Sequence, residues 1–130
     1  MNETIIHQVR EEFKNDLQFR LFNFAVNAIQ LVRTLPSGKE YDVICWQFLK
    51  SSSSGGANYE EAQGAVSRAD FANKIGIVLK EIRESNYWIK LVIATTKKNQ
   101  DWITLKQESI ELMNIIGSIH AKTSTQRKFS

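Results

Sequence analysis

The sequence predicts an all-α protein, and three observations support this fold class. Apolar residues recur at intervals of three and four along most of the 130 residues, as they do on one face of an α-helix. No segment alternates polar and apolar residues for the length of a β-strand, and no hairpin turn sequence occurs. Three pairs of residues stand three positions apart and have the types that begin helices. These pairs are Ser37 and Glu40, Ser67 and Asp70, and Thr104 and Gln107.

The first predicted helix covers about residues 16–34 and is apolar on two adjoining stripes. Pro36 lacks a backbone amide hydrogen and restrains the residue before it, so we expect this helix to stop near Leu35. An apolar face this wide exceeds what one bundle covers, so we predict self-association that shields Phe24 and Leu31. The stripes contain Leu17, Leu21, Phe24, Ala28, Leu31 and Leu35, and Phe22, Val26, Ile29 and Val32.

The second predicted helix contains a block in which composition and spacing disagree. Residues 51–56 read SSSSGG, which is the composition of a flexible linker. Interior glycines cost a helix about 1 kcal/mol each relative to alanine. Helical spacing nevertheless runs through the block, and small residues such as Ser52, Gly55 and Gly56 would let two helix backbones approach closely. The residues on this spacing are Tyr41, Ile44, Phe48, Ser52, Gly55, Tyr59 and Ala62. On periodicity alone, linker and helix are equally supported.

Two further helices are predicted, over residues 68 to about 97 and 105 to about 121. Val66 and Phe71 flank the first of these starts at the spacing of a hydrophobic staple. Each helix carries one apolar stripe, interrupted by a small polar residue, Ser85 in the first and Ser109 in the second. The stripes are Phe71, Ile75, Val78, Ile82, Ser85, Ile89 and Val92, and Leu105, Ser109, Leu112, Ile116 and Ile119.

Residues 50–92 resemble the central signature of the four-helix-bundle proteins encoded in intervening sequences of bacterial large-subunit ribosomal RNA genes. The resemblance rests on a small-residue stretch followed by distinctive positions, with Gly55 standing where the family usually has an aliphatic residue. The matching residues are Gly56, Ala57, Asn58, Glu60, Glu61, Ala62, Gly64, Ser67, Asp70, Phe71, Lys74, Lys80, Glu81, Glu84, Tyr87 and Trp88.

This resemblance implies an antiparallel, up-down four-helix bundle in which residues 51–56 belong to the second helix. It also implies assembly into homo-oligomeric rings, often pentamers. Trp88 is a further candidate interface residue, because aromatic side chains are enriched in the cores of interfaces. The family has no agreed activity. A related accessory protein of diversity-generating retroelements partners a reverse transcriptase and binds nucleic acid, so nucleic-acid binding is the alternative function.

Composition predicts one domain over residues 1–121 and a basic flexible tail over 122–130. Three of the 17 basic residues follow the last acidic residue, Glu111, so residues 1–121 hold 14 basic and 14 acidic residues. Cys45 is the single cysteine, which excludes an intrachain disulfide. No apolar run has the length of a membrane span, and no signal peptide is evident, so we expect a cytoplasmic protein with no membrane partner.

No catalytic or metal site is predicted, and no cofactor. A di-iron bundle needs Glu-x-x-His pairs, which do not occur around the two histidines, His7 and His120. No nucleophile elbow or phosphate loop is present. An enzyme that uses Glu61 and Glu84 as acid and base would need an open pocket between their helices. We instead predict a structural polar network of Asn58, Glu61, Lys80 and Glu84.

The functional prediction is a non-enzymatic, self-associating scaffold or adaptor, and the alternative is an accessory protein that binds RNA or DNA. In the alternative, aromatic residues interleaved with lysines, Tyr87, Trp88 and Trp102, stack bases while basic side chains contact phosphates. The candidate nucleic-acid contacts are Lys90, Lys97, Lys98, Lys106, Lys122, Arg127 and Lys128.

Overall fold

A computed structural model describes the backbone of residues 3–129 and the side chains of residues 5–124. This part of the chain is helical and contains no β-strand, so the all-α prediction is confirmed. The short first helix was not predicted from the sequence. The helices are α1 (Glu3–Arg10), α2 (Asp16–Val32), α3 (Lys39–Gln63), α4 (Arg68–Thr95) and α5 (Gln100–Phe129).

Side-chain caps fix the starts of α2 and α4. At α2, the Asn15 side chain accepts a hydrogen bond from the Gln18 amide at 2.9 Å, and the Gln18 side chain accepts one from the Asn15 amide at 3.2 Å. At α4, Ser67 Oγ accepts from the Asp70 amide at 3.0 Å, which confirms the predicted start. The capping box at Asn15 was not predicted, although asparagine and glutamine are common in such boxes.

Four other helix ends differ from the sequence prediction. Gly38, with a φ of 158°, is the N-cap of α3 and provides no side-chain cap, so Ser37 does not start this helix. α5 begins at Gln100 and not at Thr104; the Asn99 side chain accepts from the Asp101 amide at 2.8 Å there. α5 also continues past residue 121, to Phe129, whereas α2 ends at Val32, before Leu35. The flexibility of the tail stays a prediction.

Helices α2 to α5 pack as a bundle in which α3 contacts α2 and α4, and α5 contacts α4 and α2. α3 and α4 run antiparallel, because Tyr41 bonds the Thr95 carbonyl at 3.0 Å while Gly55 lies against Ile82. No described helix is long and apolar enough to cross a membrane. The bundle core is closed by large, fully buried side chains, including Leu21, Phe24, Phe48, Ile75, Ile82, Ile89, Leu112 and Ile116.

Candidate functional site

Residues 51–56 lie inside α3, so the helical interpretation of this block is confirmed. A Cβ atom on Gly55 would lie 2.6 Å from Cδ1 of Ile82 on α4. A Cβ atom on Gly56 would lie 3.6 Å from the backbone of Leu21 on α2. Ser52, one turn earlier, is buried. The small residues thus let α3 approach α4 closely at Gly55 and allow ordinary contact with α2 at Gly56.

Two hydrogen bonds between buried polar side chains link α4 to its neighbours. The hydroxyls of Ser51 on α3 and Ser85 on α4 are 2.8 Å apart, and both residues are fully buried. The Asn86 side-chain amide donates to Ser109 Oγ on α5 at 2.9 Å. The sequence places Ser85 and Ser109 on apolar stripes, and their partners could not be identified from spacing within one helix.

The predicted polar network of Asn58, Glu61, Lys80 and Glu84 does not form among the described side chains. The Asn58 amide donates to the Ser54 carbonyl at 2.8 Å, one turn back in the same helix. Glu61 and Lys80 are exposed, and Glu84 is partly buried. An asparagine inside a helix can bond its own backbone, and that local partner replaces the predicted one across the interface.

The α2–α5 side of the bundle is open and polar. A cavity of 310 Å³ lies between these helices, and a second cavity of 540 Å³ shares part of its lining. At one end, Arg20 bonds Glu108 through Nε at 3.1 Å and also contacts Glu111 at 3.3 Å. The hydrogen bond that Arg20 donates to Glu108 raises the pKa of Arg20, so this guanidinium stays charged. The first cavity is lined by Asn27, Gln30, Leu31, Asp101, Thr104, Leu105 and Glu108.

This cavity lining can hydrogen-bond a polar partner, and its carboxylates are partly neutralised by Arg20. It contains no histidine or cysteine. Across the described side chains, no group of three or more histidine, cysteine, aspartate or glutamate residues is arranged to hold a metal ion.

An exposed apolar surface lies on the opposite side of α2, along its boundary with α3. Gln18 lies near Glu60, and Leu21 lies near Gly56, so α2 and α3 run antiparallel. Ile29 lies about two turns after Leu21 on α2, and Trp46 lies two to three turns before Gly56 on α3. Because the helices are antiparallel, Ile29 and Trp46 lie at the same level of the bundle. We call Ile29, Val43 and Trp46 the outer apolar patch. Their exposed fractions are 42%, 58% and 67%.

Comparison with known proteins identifies the family. A family model described as 23S rRNA-intervening sequence protein matches residues 7–118. The chain belongs to this family. The predicted resemblance is therefore confirmed, and the match extends beyond residues 50–92 to include all of α2, α3 and α4 and much of α5.

One solved structure that is similar to this chain is a protein of unknown function from the S23 ribosomal protein family of Bacteroides thetaiotaomicron. It is 35% identical to this chain, with a TM-score of 0.74. The alignment covers 81% of this chain and 98% of the other. No curated protein matches. The comparisons thus agree on the helical fold and name no activity.

The three predicted interface residues have different environments. Phe24 has an exposed fraction of 0% within a single chain, so the prediction that assembly shields it is wrong. It belongs to the α2 stripe that faces the core. Leu31 is partly buried and lines the α2–α5 cavity. Trp88 is partly buried, its indole nitrogen has no hydrogen-bond partner among the described atoms, and its ring contacts Tyr87 edge to face.

The predicted nucleic-acid contacts also differ in their exposure to solvent. Lys90, Lys97, Lys98 and Lys122 are exposed, and Lys106 is partly buried. The side chains of Arg127 and Lys128 lie outside the described residues.

The aromatic residues proposed as stacking platforms differ in accessibility. Trp102 is only 2% exposed and packs against Phe48, with ring centroids 5.7 Å apart, so it cannot stack on bases as predicted. Tyr87 is 56% exposed and remains accessible.

Proposed function

We propose that this protein is a non-enzymatic helical scaffold that assembles with copies of itself. The outer apolar patch is the observation that carries the proposal. Trp46 is large, apolar and two-thirds exposed, and Val43 lies one turn away on the same helix. Clustered exposed apolar side chains mark interaction surfaces, and tryptophan is enriched at the centres of interfaces.

The second stripe of α2 supports the same proposal. Its two apolar stripes were predicted to need more covering than one bundle supplies. Phe24 on the first stripe is buried in the core, whereas Ile29 on the second stripe is 42% exposed. The apolar surface that a single chain leaves uncovered is therefore the second stripe of α2 together with the patch residues of α3.

A ring is the form of assembly that we propose, because a closed ring uses two different surfaces of each subunit and leaves no free interface. Rings, often pentamers, are also what the family resemblance implies. We place this scaffold in the cytoplasm, in keeping with the family's association with ribosomal RNA.

The proposal is tested with Trp46→Glu, which introduces a charge at the centre of the patch. Gln63→Glu is the matched control, because it adds the same charge on an exposed position near the end of the same helix. Light scattering should show a smaller assembly for Trp46→Glu and an unchanged one for Gln63→Glu, with circular dichroism showing that both remain helical. Equal masses for the two variants and the parent would contradict an interface at Trp46.

The alternative function, an RNA- or DNA-binding accessory protein of a ribosomal RNA or retroelement system, stays a proposal and concerns a different part of the surface. Trp102 no longer supports it, because this side chain is buried. Exposed lysines and Tyr87 still do.

A further inference from the structure

Four basic residues and one exposed tyrosine lie along the boundary of α4 and α5. Lys80, Arg83, Tyr87 and Lys90 are spaced at three and four, so they share one face of α4. The three basic side chains are exposed, and Tyr87 is 56% exposed. We call these four residues, together with Lys106 on α5, the basic stripe.

Contacts between α4 and α5 place the stripe at this boundary. Gly76 is on the same face of α4 as Lys80, and a Cβ atom on Gly76 would lie 3.1 Å from Nε2 of His120 on α5. Asn86 bonds Ser109 at 2.9 Å, so the two helices run antiparallel. Lys90 lies one turn after Asn86 on α4, and Lys106 lies one turn before Ser109 on α5. In antiparallel helices these two lysines therefore lie at the same level.

Most acidic residues of the two helices lie on other faces. On α4, Glu81 is one turn before Ser85, which bonds Ser51 of α3 at 2.8 Å, so this carboxylate lies towards α3. Glu84 is the exception, because it stands one turn from both Lys80 and Tyr87 and lies beside the stripe. On α5, Glu108 and Glu111 face Arg20 of α2.

Charge is therefore separated across a bundle whose basic and acidic residues are nearly equal in number. None of the ion pairs among the described side chains includes a cation of the basic stripe. Lys80 has Glu81 and Glu84 nearby, whereas Arg83, Lys90 and Lys106 form a row of positive charge without an ion-pair partner among the described side chains.

We propose that the basic stripe binds single-stranded nucleic acid, an inference that rests on the alternative function above and locates it on one surface. Its cations match the repeating negative charge of a phosphate backbone, and Tyr87 in their midst can stack on a base. The Tyr87 ring is already held by an edge-to-face contact with Trp88, with centroids 5.2 Å apart and an angle of 79° between the planes. An acidic protein surface would match the charge but would make no use of the exposed ring.

The test measures binding of fluorescein-labelled oligouridylate to the full-length protein by anisotropy over a range of salt concentrations. Tyr87→Ala should weaken binding about tenfold, whereas Tyr87→Phe should bind like the parent because it keeps the stacking ring. The double variant Arg83→Gln with Lys90→Gln should reduce the slope of log affinity against log salt by about 1.4, since each lost phosphate contact on a single strand removes about 0.7.

Lys39→Gln is the matched control, since it removes one exposed positive charge at the start of α3, outside the basic stripe. It should leave affinity and slope close to the parent values. The proposal is overturned if Lys39→Gln weakens binding as much as the stripe variants, if Tyr87→Ala binds like the parent, or if polyglutamate competes as well as unlabelled oligouridylate. Light scattering of each variant separates loss of binding from loss of assembly, because a variant of unchanged mass that fails to bind has lost the binding surface itself.

Discussion

The α3–α4 interface and the α2–α5 side of the same bundle are built in opposite ways. Between α3 and α4, Gly55 lies directly against Ile82, and the hydroxyls of Ser51 and Ser85 meet without exposure to solvent. Between α2 and α5, a polar cavity separates the helices, and Arg20 forms ion pairs across one end.

This difference shows how one bundle can combine a rigid half with an adaptable one. Close helix contact through small residues leaves little room for substitution, because a dense interior responds to added volume. Partly exposed ion pairs contribute little to stability and can be exchanged for other polar contacts. We therefore expect substitutions between α3 and α4 to cost much more than substitutions between α2 and α5.

The largest effect is expected from Gly55→Leu. A Cβ atom already comes within 2.6 Å of Ile82 Cδ1, so a leucine side chain would overpack the interface and lower the free energy of unfolding by about 3 kcal/mol. Gly56→Ala is the control, because its Cβ atom would have ordinary contacts at 3.6 Å and alanine favours helix by about 1 kcal/mol. Urea titration measures both, and equal stability of the two variants would refute close packing at Gly55.

A smaller effect is expected from the buried hydroxyl pair. Ser51→Ala and Ser85→Ala should each lower the free energy of unfolding by about 1 kcal/mol, the usual contribution of one hydrogen bond. Each hydroxyl also lies within hydrogen-bond distance of a carbonyl of its own helix, Ser51 of Phe48 at 3.2 Å and Ser85 of Glu81 at 3.0 Å. Because each hydroxyl has one proton, one serine donates to the other, and the second donates to its own carbonyl. In a double-mutant cycle, the two effects should be less than additive, and strict additivity would mean that the hydroxyls do not interact.

Arg20→Gln tests the open side and should lower the free energy of unfolding by only about 0.5 kcal/mol, because its ion pairs with Glu108 and Glu111 are partly exposed. The difference from the parent should shrink at high salt. If Arg20→Gln lowered the free energy of unfolding as much as Gly55→Leu does, the α2–α5 side would not tolerate substitution better than the α3–α4 interface.

The smallest effect concerns Glu81. Burial raises the pKa of Glu81, and the like charge of Glu84 raises it further. A carboxyl group with a raised pKa in the folded state binds protons more tightly there, so stability should rise as the pH falls through that pKa. Glu81→Gln should be slightly more stable than the parent at neutral pH, and this gain should disappear in acid. Urea titrations at both pH values check it, and a destabilised variant would contradict the assignment.

The α3–α4 interface could largely be predicted from the sequence. Helical spacing continues through residues 51–56, and the family resemblance decided between linker and helix. The partners of the buried polar groups could not be predicted, since spacing within one helix does not show which residue of the next helix stands opposite. Asn58 is an example: it was assigned a partner on α4 but bonds Ser54 of its own helix.

Self-association was predicted on α2, but the wrong residue was chosen. Periodicity shows that α2 has two apolar stripes, and it does not show which one faces the core. Phe24 turned out to be buried, and Ile29 is exposed. The basic stripe was predicted only in part: Tyr87, Lys90 and Lys106 were named as nucleic-acid contacts, whereas Lys80 and Arg83 were not, because charge was counted along the chain and not around each helix.

Light scattering of the unmodified protein at micromolar concentration and moderate salt tests the central claim most directly. The outer apolar patch should be covered by another copy, so the account predicts a mass that is a multiple of 14.9 kDa. A mass of 14.9 kDa over the whole concentration range would contradict the scaffold proposal.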